Sequence, residues 1–300
     1  MTAADSILDG IVAEIRRTGF TAHGVHVLVG GDTAEHAFTA DVRRDIQSIA
    51  KGLCVMAAGI AADEGMLSLD APVAACLPRV ALGAGVERVT MRHLLTMSSG
   101  IDMPWSATML TDWPDLAVEF LGRPSRGRVF QYAGASTYTA MRALAAVVGD
   151  VGAWAQSRLF DPLGIDAVEW ARCPNGGIAA GGGVALRTAE VARIGRLIRD
   201  RGVWEGRRVV GAEWIDGMHA DWVVAGSDPG YDRYALAGWG GPGAGWRLHG
   251  AYGQLLLFHA DAVVTITAAD DRIENHTDAD PLAAFVMASL EARAAASPRS

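Results

Sequence analysis

Lysine is almost missing from this 300-residue chain: of its 26 Lys and Arg residues, only Lys51 is lysine. A pressure for Arg over Lys acts wherever a plain cation suffices. Arg stays protonated at any ordinary pH, whereas a desolvated Lys can lose its proton and act as a base. A single retained lysine therefore points to chemistry. Cysteine is scarce as well. Cys54, Cys76 and Cys173 are odd in number and far apart, which suggests a reducing compartment and no disulfide frame. There is no basic run, and the formal net charge is −8, so neither nucleic acid nor an anionic membrane surface is an expected partner. No apolar run approaches membrane-spanning length. Met1-Thr2-Ala3-Ala4-Asp5 lacks the positive and apolar regions of an export signal, so a cytoplasmic protein is expected. The chain has no Gly-x-Ser-x-Gly elbow, which disfavours an α/β-hydrolase.

Half the residues are hydrophobic and a fifth are charged, enough for a sizeable core in one large domain or two. Ser48 stands three positions before Lys51. On a helix, i and i+3 share a face, and a serine beside an amine that can be neutral is an activated nucleophile. The spacing alone equally suits an ordinary helix start, with Ser48 as cap and Lys51 as surface cation. Context weakens that reading. From Ser48 the chain is apolar almost all round through Ile49, Leu53, Cys54, Val55, Met56 and Ile60, the pattern of a buried helix, ending near Gly65. A lysine in its first turn faces desolvation and the positive end of the dipole, and both favour the neutral amine. Cys54 on this helix reads as core.

The remaining pattern gives a layout. Residues 5–17 read as an amphipathic helix with Ile7, Leu8, Ile11, Val12 and Ile15 on one stripe. Residues 25–29 read as a strand, with 35–39 as its hairpin partner. A helix capped by Thr90 and stopped by Gly100, one over 136–148, one from Thr188 to 199 and a short one at Trp214 follow. The glycine-dense 175–184 stretch implies close backbone approach beside a site. Runs at 236–241, 246–249, 254–258 and 263–268 suggest an antiparallel meander, and 280–293 a closing helix. A lone hairpin is not stable alone. The two ends are therefore expected to combine as a discontinuous α/β domain of the α+β type (residues 1–66 and 175–300), with a helical domain over 67–174 and the site between them.

The motifs resemble a family. Ser48-Ile49-Ala50-Lys51, the Val89-Thr90-Met91-Arg92-His93-Leu94-Leu95-Thr96-Met97-Ser98-Ser99-Gly100 stretch, Tyr132, Phe160-Asp161-Pro162-Leu163-Gly164, Gly181-Gly182-Gly183 and Gly250-Ala251-Tyr252-Gly253-Gln254 occur in the order seen in class C β-lactamase-like serine hydrolases. That group includes penicillin-binding proteins, esterases, D-amino-acid amidases and 6-aminohexanoate-dimer hydrolases. The resemblance covers about residues 25–270. It implies a β-lactamase/transpeptidase-like fold, an antiparallel sheet flanked by helices plus a mostly helical domain. It also implies an acyl-enzyme on Ser48, proton work shared by Lys51 and Tyr132, and an oxyanion hole from the N–H groups of Ser48 and Ala251.

Two departures bear on substrate. The family's Tyr-Ser-Asn is here Tyr132-Ala133-Gly134, without the amide. Its Lys-Thr-Gly or His-Thr-Gly is here Leu248-His249-Gly250, without the first-position cation. Both argue against β-lactams and cell-wall peptides and fit the esterase and 6-aminohexanoate-dimer hydrolase branch better. Gly250, His249, Tyr252, Trp105 and Trp239 are candidate lining residues. Each also has a plain reading as strand or packing residue. His23 and His26 gather no further ligands, so no metal is expected, and no cofactor. The expected function is a serine esterase or amidase for a small carboxylic ester or amide. An acyltransferase to an amine or alcohol and a catalytically degraded binding homologue are the alternatives.

Overall fold

The apolar runs at the two ends of the chain meet in one sheet. The computed structural model describes residues 1–103, 115–228, 230–241, 243–269 and 279–296. Strand β1 (Ala22–Val29) turns through Gly30-Gly31 into β2 (Asp32–Ala37), with Val29 opposite Asp32. The partner strand thus begins at Asp32, earlier than its β-branched content suggested, because a two-residue turn pairs the chain at once. The remaining strands of this sheet are β3 (Val223–Val224), β4 (Arg233–Tyr234), β5 (Trp239–Gly240), β6 (Trp246–Gly250), β7 (Gln254–His259) and β8 (Ala262–Ala268), and two separate two-stranded pairs join Arg44–Asp45 to Ala185–Leu186 and Val203–Trp204 to Arg207–Arg208. The sheet order is β2-β1-β8-β7-β6-β5-β4-β3, with antiparallel pairing throughout. The N-terminal hairpin therefore completes the sheet against the last strand, with Val25 opposite Ile266. The run at 236–241 yields only Trp239–Gly240 as strand, because the Ala235 N–H donates to Gly238 O at 2.8 Å and closes a turn.

Alternation along these strands feeds two layers. Val25, Val27, Leu255, Leu257, Val264 and Ile266 meet α1 (Ala3–Thr18) and the closing helix on one face. Leu28, Leu248, Leu256 and Val263 meet a much larger cluster on the other. The helices after α1 are α2 (Ala50–Asp63), α3 (Met91–Leu95), α4 (Leu116–Leu121), α5 (Gly134–Val148), α6 (Val151–Ala155), α7 (Thr188–Arg199), α8 (Ala212–Asp216) and α9 (Ala279–Ala296). The α1 stripe is buried as its spacing requires, and a Thr2–Asp5 capping box starts it. Between residues 67 and 174 the described residues form helices and isolated bridges, with no named strand. The larger cluster runs unbroken from that segment into the sheet. Among the described residues no helix is long and apolar enough to cross a membrane.

Helix α2 is the axis of this packing. Every residue from Ala50 to Ala61 is buried. Its two glycines are explained by close neighbours. A Cβ on Gly52 would stand 2.6 Å from Leu248 Cδ1, and one on Gly59 would stand 2.5 Å from Trp214 Cγ. Trp214 cannot retreat freely, since its Nε1 donates to Asp63 Oδ1 at 2.7 Å. In an exposed helix Gly→Ala stabilises by about 1 kcal/mol; here overpacking at roughly 1–3 kcal/mol wins. Gly59→Ala is therefore predicted to lower the urea midpoint, and a gain in stability would contradict this packing.

Candidate active site

Ser48 sits in a one-turn 3₁₀ segment, Gln47–Ile49, that leads directly into α2. In a 3₁₀ turn, side chains at i and i+3 eclipse, so the helix start differs from a plain α-helix in bringing Ser48 and Lys51 closer. Lys51 Nζ donates to Ser48 Oγ at 2.7 Å and to Gly181 O at 2.8 Å. The lysine is only 4% exposed, and its Nζ lies 4.9 Å from the centroid of the Tyr132 ring. Three distant stretches of chain thus meet at one amine. The glycine-dense stretch makes the close approach its composition implied: a Cβ on Gly181 would stand 3.6 Å from Lys51 Nζ. Cys54 is core, as read. Its Sγ donates to Ala180 O, and burial pushes the thiol up to about 12.

The charged residues 41–45 turn out to be clamps. Asp41 accepts the Thr188 N–H at 2.8 Å, at the start of α7. Arg43 pairs with the buried Glu190 at 2.8 Å. Asp45 accepts the Gln47 N–H at 2.7 Å and the Gly183 N–H at 3.0 Å. Asp45 therefore ties the nucleophile's turn to the glycine loop that supplies the Gly181 carbonyl. Gln47 holds a left-handed φ of 51°, a strained conformation for a residue with a side chain. The sequence offers no signal for Asp45 beyond its place before the motif.

The stretch from Arg92 to Gly100 is scaffold. Arg92 pairs with Asp70 at 2.6 Å, and His93 and Thr90 form a reciprocal cap on α3. Ser136 Oγ donates to Leu94 O at 2.8 Å, and the Gln131 N–H donates to Met97 O at 2.8 Å. These bonds fix the chain on both sides of Tyr132. Helix α3 ends at Leu95, before Gly100. The Tyr132 ring lies tilted on Trp239 at 5.5 Å and edge-on to Tyr234 at 5.9 Å. Trp239 is thus a neighbour of the candidate tyrosine. Trp105 lies outside the described residues.

Strand β6 closes the site from the sheet side. A Cβ on Gly250 would stand 2.6 Å from Ile46 O and 3.0 Å from Gln47 Cβ, so only glycine lets the strand press on the nucleophile's turn. Ala251 follows at once, at the start of a short turn. Ser48 lies in the first turn of its helix, where N–H groups have no intrahelical acceptor. Tyr252 is 46% exposed with φ 61°. Leu248, at the family's cation position, is 1% exposed and locked over Gly52. His249 is buried on the strand's other face. It pairs across from Leu255 of the opposite layer, and its Nδ1 lies 2.6 Å from Tyr231 Oη. Tyr231 Oη also donates to Asp280 Oδ1 at 3.0 Å, and Arg247 pairs with Asp280 at 2.9 Å. Tyr231 meets Trp239 edge-on at 5.0 Å, and Trp239 lies on the Tyr132 ring, so His249 borders the aromatic cluster beside the candidate tyrosine.

The β-lactamase family model matches residues 5–294. A 6-aminohexanoate-dimer hydrolase of Paenarthrobacter ureafaciens is 28% identical over 218 residues, which are 61% of this chain and 52% of that protein. The chain thus matches about half the length of that relative. Among solved structures, a class C β-lactamase from Rhodobacter sphaeroides aligns with TM-score 0.73 at 16% identity, covering 98% of this chain and 100% of that one. A family VIII carboxylesterase aligns with TM-score 0.73 at 14% identity, covering 96% and 98%. The fold is the β-lactamase/transpeptidase-like one that the motif order implied. With a family match spanning the sheet, the helices and the Ser48–Lys51 turn, this chain belongs to the β-lactamase family of serine hydrolases.

Proposed function

We propose that this protein cleaves a small, uncharged carboxylic ester or amide through an acyl-enzyme on Ser48. The observation that carries the reading is the 2.7 Å contact between the buried Lys51 Nζ and the partly exposed Ser48 Oγ. Ser48 Oγ attacks the carbonyl carbon and its one proton passes to the Tyr132 oxygen, with Lys51 beside it. The carbonyl electron pair moves onto oxygen, where the N–H groups of Ser48 and Ala251 meet it. Such donors contribute a few kcal/mol each because the charge develops only in the transition state. Collapse expels the alcohol or amine with a proton, and water then releases the acid.

Leu248 and Gly134 support the substrate class. The first offers a buried isobutyl group where a cation would hold a carboxylate, and the second offers no side-chain amide. A carboxylate next to the scissile bond would therefore lose its water without gaining a partner, an unfavourable exchange. The matched 6-aminohexanoate-dimer hydrolase supports hydrolysis at carboxylic acid derivatives generally. The two-domain division, with the site between residues 1–66 plus 175–300 and residues 67–174, remains part of this proposal.

Intact-mass and peptide mapping after exposure to a neutral fluorophosphonate are expected to find one adduct, on Ser48. An adduct elsewhere, or full esterase activity in Ser48→Ala, would sink the reading. Lys51→Arg keeps the positive charge but not the ability to shed it, and turnover of a p-nitrophenyl ester is expected to fall at least about 1,000-fold with the fold intact. Neutral short-chain esters are expected to exceed carboxylate-bearing analogues in kcat/KM by at least about tenfold; the reverse order would reject the substrate class.

A further inference from the structure

Tyr234 poses a problem that the mechanism above does not use. It lies in β4 directly opposite Trp239 and is fully buried. Its Oη has no hydrogen-bond partner among the described residues. A buried hydroxyl without a partner is destabilising, and phenylalanine would fill the same space without that cost. The retained oxygen calls for a reason.

Its surroundings supply one. The Tyr234 ring meets Tyr132 edge-on at 5.9 Å, Trp239 at 4.6 Å and Phe130 at 5.6 Å. Several titratable or charged groups face this aromatic cluster. Lys51 and Cys54 approach from α2, with Lys51 Nζ over the Tyr132 ring. Tyr231 comes from the segment before β4, and behind it stand His249, Arg247 and Asp280. Burial, then the neighbouring Tyr132 and Cys54, hold the Tyr234 phenol well above its ordinary range. It therefore keeps its proton while Tyr132 changes charge.

We propose that Tyr234 is a positioning residue for Tyr132: its buried, uncommitted O–H is held for the Tyr132 oxygen and stabilises that oxygen when it carries negative charge during proton transfer from Ser48. This rests on the acylation reading above. No bond is made or broken at Tyr234, whose proton stays on its own oxygen. A hydrogen bond to a charged group shifts an equilibrium by roughly 10- to 100-fold. The direction follows: with the hydroxyl present, the Tyr132 phenolate forms at lower pH, and removing it moves the rising limb of activity to higher pH.

The test uses the full chain and a neutral fluorophosphonate. Wild-type labelling at Ser48 comes first, and its failure overturns the acylation reading whatever Tyr234 does. Given that labelling, Tyr234→Phe is expected to slow it about 10- to 100-fold near neutral pH and to move the rising limb of the pH–rate profile up by about one unit or more. The thermal midpoint should stay the same or rise, because an unpaired hydroxyl has been removed. In a Tyr132→Phe background the same substitution should leave the labelling rate and its pH profile unchanged. An unshifted limb in Tyr234→Phe overturns the proposal even if the rate falls, since packing loss alone does not move it. A lower thermal midpoint also overturns it, by revealing a structural partner for the hydroxyl.

Discussion

Lys51 Nζ, held between Ser48 Oγ at 2.7 Å and Gly181 O at 2.8 Å, is the contact that the surrounding structure serves. An amine on a flexible four-carbon stem holds one position only when its surroundings leave no other. Here α2 is buried on all sides, so its first turn cannot fray into solvent. The glycine loop offers the Gly181 carbonyl, and it packs tightly at Gly183, where a Cβ would stand 2.5 Å from Ala171 Cβ. Strand β6 presses on the nucleophile's turn through Gly250. Asp45 binds that turn and the loop together with one carboxylate. If any of these approaches loosened, the lysine would lose its aim.

Much of this was legible in the residues because it left a trace in composition or period. A lone lysine among arginines marks a place where acidity matters. An apolar stretch with no polar stripe marks a helix buried all round, and a cluster of glycines marks close approach. The motif from Arg92 to Gly100 marked the family, although its own work is to brace Tyr132 through Met97 O and Ser136. What stayed hidden had no such trace. The Gly181 carbonyl is backbone and has no letter in the sequence. Asp45 reads as one charge among several. His249 gives no sign in the sequence of its contact with Tyr231 Oη. The hairpin register depended on a two-residue turn rather than on strand composition.

Local costs also fall at the site. Gln47 keeps a left-handed backbone, a glycine stands in the first turn of α2, and the Tyr234 hydroxyl is buried without a partner among the described residues. Sequences usually agree across propensity, packing and polar pairing, and they break that agreement at functional sites. These three exceptions lie on the nucleophile's turn, on the helix that carries Lys51 and against Tyr132. The absence of a cation at position 248 belongs to a different category. It costs the fold nothing, since Leu248 packs over Gly52, and it redefines what can bind.

The most direct measurement of the central claim is a crystal structure of the protein after reaction with a neutral fluorophosphonate. The phosphonyl group is predicted on Ser48 Oγ, with one oxygen within hydrogen-bond distance of the Ser48 and Ala251 N–H groups and with Lys51 Nζ still on Gly181 O. A phosphonyl group on another side chain, or its oxygen turned away from Ala251 into solvent, would contradict the account.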